Sequence, residues 1–137
     1  MIRKIAHIGV AVKSLDAAIP FYRDVLGLPL VGIEEVAEQK IRAAVFQVGE
    51  STIEVIESTS PDGPVGKFVE KNGEGIHHLC FDVDDTAAAL SEAKEKGARL
   101  IDETPRNGVH GMKIGFLHPK STFGVLTEFA QEGKEHY

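Results

Sequence analysis

Two histidines and two glutamates carry the chemistry that this sequence is equipped to do. His7 opens the run HIGVAV and His78 opens HLCFDV, while Glu54 follows His7 by 47 residues and Glu128 follows His78 by 50. Imidazole offers a neutral nitrogen lone pair near pH 7, and a carboxylate offers charged oxygens. Two nitrogens and two carboxylates suit Zn, Co, Ni, Mn or Fe, with positions left for water or substrate. A carboxylate set among Ile53, Val55 and Ile56 is costly to bury without a counter-charge. One divalent cation would satisfy both glutamates. A lone strand histidine is more often structural and a lone strand glutamate more often solvated. What lifts these four above that reading is an internal repeat.

When His7 is laid on His78, HIGVAVKSLDAAI (7–19) falls on HLCFDVDDTAAAL (78–90), an offset of 71. Each half then reads as an alternating strand, a polar turn and a helix. The helices are expected over 15–26, ending near Gly27, and over 85–96, ending at Gly97, because glycine takes the left-handed stop at little cost. Three strand-like runs follow each helix: 29–35, 40–48 and 51–57 in the first half, and 98–102, 112–118 and 124–130 in the second. The expected fold is therefore α+β: two tandem β-α-β-β-β modules, about 3–58 and 74–130, forming a half-barrel with a metal site in its concave face. A bridge of about 59–73, with a helical turn or two at Val65–Lys71, joins them into one domain over 1–137. A module of about 60 residues is a marginal folding unit alone, so a second layer is needed.

Strand parity says which side chains meet. Ile8, Val10 and Val12 point one way and His7, Gly9 and Ala11 the other. The bulky set belongs under the helix, and the His7 side belongs to the cavity. In the second half Leu79, Phe81 and Val83 are the apolar set, so His78 rather than His77 faces the cavity, beside Cys80. Cys80 reads as a buried structural thiol, and the pair Glu34-Glu35 as a solvated strand end. His110, in the loop GVHGMK, is placed to line a substrate entrance.

The bulk numbers exclude more than they name. Fifteen Lys and Arg against 21 Asp and Glu give a net charge of −6, which argues against a nucleic-acid partner. A single cysteine allows no intrachain disulfide and fits a reducing cytoplasm. No run is long and apolar enough for a signal peptide or a membrane span, so a cytoplasmic location without membrane association is expected. GxGxxG, P-loop and GxSxG patterns are absent from the sequence.

The phrases HIGVAV (7–12), FYRDVLGL (21–28), AEQ (37–39), GPVGKFVEKNGEG (63–75), GEGIHHLCFDVDD (73–85), HGMKIGFLHPKS (110–121) and FLHPKSTFGVLTE (116–128) resemble the vicinal oxygen chelate superfamily and, within it, the methylmalonyl-CoA epimerase family. The resemblance spans about 3–130. It implies that His7, Glu54, His78 and Glu128 ligate a divalent ion, cobalt first, with Zn, Mn and Ni as alternatives. It also implies a CoA thioester as substrate, epimerisation at C2 in propionyl-CoA metabolism, and a homodimer. Removing the C2 proton creates an enolate, so inversion needs an acid/base on each face. Glu128 is expected to be one. Some family members carry a further glutamate at the position of Ala43, which this chain lacks, so Glu54 is expected to be the other, with Glu38 a weaker alternative. Lys120 and Ser121 of the HPKST loop are expected to meet the substrate carboxylate, and Lys113 or Arg106 the CoA. Two other readings compete: a glyoxalase I-like lyase acting on a glutathione hemithioacetal, and a non-catalytic, resistance-type protein that binds a small ligand.

Overall fold

Ile2–Ala11 form the first strand (β1) of a computed structural model that describes residues 1–131. There follow α1 (Leu15–Pro20), β2 (Leu30–Val36), β3 (Ile41–Val48), β4 (Ser51–Ser58), α2 (Pro64–Asn72), β5 (Gly75–Val83), α3 (Thr86–Glu95), β6 (Arg106–Asn107), β7 (Lys113–Leu117) and β8 (Thr127–Gln131). The class is α+β, as expected. The contacts divide the chain into two units. One is His7–His77. The other is Met1–Ala6 together with the described residues from His78 onward. Strand β1 thus gives its first half to one unit and its second half to the other.

In the unit His7–His77 the strand order is β2-β3-β4-β1. β1 runs parallel to β4, from His7↔Thr52 to Ala11↔Ile56, while β2/β3 and β3/β4 are antiparallel. The helix-side core is the apolar parity set: Val12, Ala44, Phe46 and Val55 are buried against Leu15 and Ile19 of α1, with Val10 and Ile53 packed beside them. The Ser14 hydroxyl caps α1 by accepting from Ala17 N at 3.2 Å. The expected helix over 15–26 is present but changes form midway. Pro20 has no N–H for the ladder and its ring crowds the preceding turn. Phe21–Val25 continue as a π-helical stretch closed by Leu26 N donating to Phe21 O at 3.0 Å. Gly27, at φ +71°, ends it. The bridging helix α2 is longer than the expected turn or two and begins on Pro64, whose missing N–H costs nothing in a first turn.

In the other unit the order is β5-β8-β7-β6, with the Ile2–Ala6 half of β1 beside β5. Arg3 fastens that half by donating from Nε and Nη2 to the two carboxylate oxygens of buried Asp82, at 3.0 and 3.3 Å. β5 is parallel to β8, and β7 is antiparallel to both β8 and β6. Asp85 caps α3 by accepting from Ala88 N at 3.1 Å. Leu90 of α3 buries against Val83, Leu117 and Phe129. Gly115 lies directly beneath it: a Cβ there would come within 2.5 Å of Leu90 Cδ1.

Two expected strands are shorter than their patterns. The run 98–102 is reduced to one bridge, Leu100↔Leu117. The amides of Ile101 and Asp102 both reach Phe116 O (2.9 and 3.2 Å), and the Asp102 carboxylate accepts from Phe116 N at 2.8 Å. A side chain has taken the place of a ladder bond. The last strand begins at Thr127 rather than 124, because Gly124 sits at φ +92° and the Val125 carbonyl accepts from the hydroxyls of Thr122 and Thr127. Among the described residues no helix is long and apolar enough to cross a membrane.

Candidate functional site

β1 and β4 bring His7 and Glu54 together. Glu54 stands opposite Gly9, two residues beyond His7, so both side chains leave the same face of the sheet. They are 2% and 3% exposed, and His7 Nδ1 lies 3.1 Å from Glu54 Oε2. Register carries that face outward across the unit. Val45 stands opposite Glu54, Ala43 opposite Ile56, and Glu34 of β2 opposite Ala43. Glu34 is therefore not a solvated strand end: it is half-buried on the Glu54 face, while Ile33 and Glu35 on either side are exposed. Pairing with a strand whose inner residues are buried gives each of the two adjacent acids its own face.

β5 and β8 build the second pair in the same way. Glu128 stands opposite Cys80, two residues beyond His78. The two are 3% and 6% exposed, and His78 Nε2 lies 3.2 Å from Glu128 Oε1. Cys80 is fully buried on the same face, as expected. Phe116, the β7 partner of Glu128, meets the His78 ring edge-on with centroids 5.8 Å apart. His77 points to the other side of its strand and packs edge-on against Phe68 of α2 at 4.8 Å.

The chemistry of each pair fits a metal. Ligand atoms about 2.0–2.2 Å from one divalent ion, at about a right angle, stand about 3 Å apart. Both His–carboxylate separations have that value. The nitrogens differ, Nδ1 in one pair and Nε2 in the other, and both kinds ligate divalent metals.

The expected substrate-binding residues are placed unequally. The HPKST loop joins β7 to β8, immediately before Glu128. It is pinned by His118 N donating to Arg99 O (2.8 Å) and by Arg99 N donating to the Ser121 hydroxyl (2.7 Å). Ser121 Oγ thus has a structural task, and Lys120 is exposed. Lys113 belongs to the opposite face of β7 from Phe116, and its Nζ donates to Asn107 Oδ1 at 3.0 Å, so it is not brought to the His78–Glu128 pair. Sequence reasoning passed over Phe123, fully exposed at φ +58° on that loop, and Phe116 as the wall beside His78. Phe116 was within reach: extending the repeat through the third strand of each half lays it on Val45, the neighbour of Glu54.

Residues 6–116 match the glyoxalase/bleomycin resistance protein/dioxygenase superfamily. The chain is 41% identical to an uncharacterised protein, YqjC, of Bacillus subtilis, over 97% of this chain and 96% of that one. It is 35% identical to an ethylmalonyl-CoA/methylmalonyl-CoA epimerase of Cereibacter sphaeroides, over 96% of this chain and 99% of the other. A solved methylmalonyl-CoA epimerase in complex with methylmalonyl-CoA and ammonium shares the fold with a TM-score of 0.95 at 38% identity, over 98% of this chain and 97% of that one.

Proposed function

This chain belongs to the glyoxalase/bleomycin resistance protein/dioxygenase superfamily and, within it, to the methylmalonyl-CoA epimerase family, and from that premise we propose that it inverts C2 of methylmalonyl-CoA with one divalent cation held by His7, Glu54, His78 and Glu128. The observation that carries the reading is the pair of buried His–carboxylate couples, each built by a parallel strand pair with the glutamate opposite the residue two beyond the histidine. A resistance-type binding protein would need a cavity but not two such carboxylates.

The proton at C2 is acidic because it lies between a thioester and a carboxylate. Its loss leaves an enolate. When bound, the cation supplies Lewis-acid stabilisation of that negative charge. Glu128 takes the proton from one face and Glu54 returns one to the other, the roles reversing for the opposite epimer. Ala43 has no group that could share this work. Burial of both carboxylates keeps bulk water from the carbanion while the proton is in transit. Cobalt is the first choice of metal on family resemblance, and a cytoplasmic homodimer belongs to the same reading.

Deuterium incorporation at C2 in heavy water, followed by mass spectrometry, tests it. Exchange with inversion that stops on chelation and returns with added cobalt is expected. Running methylmalonyl-CoA beside ethylmalonyl-CoA decides whether the longer side chain is also accepted. Tight cobalt binding with no exchange on either thioester would overturn the substrate, and a glutathione hemithioacetal becomes the next one to assay.

A further inference from the structure

One cation on the Glu128 face has no part in the proton transfer described above. Arg106 lies on β6 opposite Ile114, which stands opposite Ala130; Phe116 and Glu128 form the next row of the same face. Its guanidinium carbon sits over the Phe116 ring, 5.2 Å from the centroid, and that ring meets His78 edge-on at 5.8 Å. Among the described residues its ion partner is Asp102, 3.4 Å from Nε, and Asp102 is itself held by Phe116 N. Nε is shut off from solvent without a hydrogen bond, yet 39% of the side chain is accessible. The exposure therefore belongs to other atoms of the side chain. Asp102 and Phe116 hold the group from one edge and one face, which leaves the outer edge of a planar, two-nitrogen fork for an anion.

We propose that the Arg106 guanidinium binds the free carboxylate of the substrate acyl group, and so selects a dicarboxylic acyl thioester over a simple acyl thioester. The inference rests on the epimerase reading. Such a substrate brings its own negative charge to a face that already carries Glu128 and Asp82, with Asp102 beside Arg106, on a chain of net charge −6. Arg3, a second arginine of that unit, is engaged by Asp82. A nearby guanidinium offsets this repulsion, and a carboxylate matches its fork in two parallel hydrogen bonds. The placement beside Phe116 and His78 favours the reacting end of the thioester over the distant phosphates of CoA. Arg106 occupies the repeat position that Glu34 holds in the other unit, so the device is present in only one half.

The test compares binding of methylmalonyl-CoA and propionyl-CoA by calorimetry, using cobalt-loaded wild type, Arg106→Gln and Arg106→Lys. Wild type is expected to prefer the dicarboxylic ligand. Arg106→Gln is expected to lose about 10–100-fold in affinity for methylmalonyl-CoA, the range of a charge-assisted hydrogen bond, with propionyl-CoA and cobalt affinities unchanged. Arg106→Lys, which keeps the cation but not the fork, should fall between the two and also guards against misfolding in the glutamine variant. Equal losses for both thioesters would assign Arg106 to the CoA phosphates and overturn the proposal, as would no loss for either. Exchange at C2 in wild type is read separately. Its absence, with the carboxylate preference intact, would sink the epimerase reading and leave the anion site standing.

Discussion

His7 and Glu54 in one unit and His78 and Glu128 in the other are placed by the same register, yet their surroundings differ in three ways. The residue opposite the glutamate is Gly9 in one and Cys80 in the other. The edge strand contributes Glu34 opposite Ala43 in one, and Arg106 opposite Ile114 in the other. On the helix side, Ala44 packs beneath Leu15 and Ile19, whereas its repeat equivalent Gly115 lies beneath Leu90 with no room for a methyl group. The repeat keeps what aligns a histidine with a carboxylate and lets the periphery vary.

The largest expected effect comes from removing the two carboxylates one at a time. Glu128→Gln and Glu54→Gln should each slow inversion by about 10²–10⁴-fold. With separate epimers, each variant should still exchange deuterium into one epimer without inverting it, and the favoured epimer should differ between the two. If both variants lost exchange equally with both epimers, the two-base assignment would fail. Next come the histidines. His7→Ala and His78→Ala should each weaken cobalt binding by more than the about 10–100-fold that loss of an outer-sphere partner costs, as read by competition with a chelator. An unchanged affinity in either variant would leave the ion to the other pair alone.

A smaller effect tests the helix side. Gly115→Ala should destabilise the fold by about 1–3 kcal/mol through overpacking against Leu90, whereas Ala44→Gly should cost about 1–2 kcal/mol through lost burial and added chain entropy. Urea denaturation measures both. Adding Leu90→Ala to Gly115→Ala should restore part of the loss, because the new methyl occupies space the leucine vacates. If the double variant were no more stable than expected from additive losses, the clash would not be the cause. The smallest effect is expected for Cys80→Ala. It should lower stability by about 1 kcal/mol and leave C2 exchange unchanged. A collapse of cobalt affinity in that variant would make the thiol a ligand and break the likeness between the two pairs.

Much of this was legible without coordinates. The offset between His7 and His78 aligned two strand-turn-helix units, and alternation along each strand put His7 with Ala11, His78 with Cys80, and Val12 and Val83 under their helices. Those are local properties: a period of two, a polar turn before each helix and a glycine stop after it. They also separated His78 from His77 correctly, because one residue of shift reverses the face.

Other features had no local signal. Whether Glu34 is solvated or sheltered depends on its pairing with Ala43, and nothing in the acid pair Glu34-Glu35 tells one from the other. The run 98–102 has a strand composition, yet the Asp102 carboxylate takes an amide that a ladder would have used. Arg106 was expected, with Lys113, to meet the CoA, and only its place on β6 sets it over Phe116. The sequence by itself determined which residues could share a face, because that follows from backbone geometry one strand at a time. Tertiary structure alone decided which strand lies opposite which and at what register, because those hydrogen bonds join residues far apart in the chain, and side chains compete for the same donors.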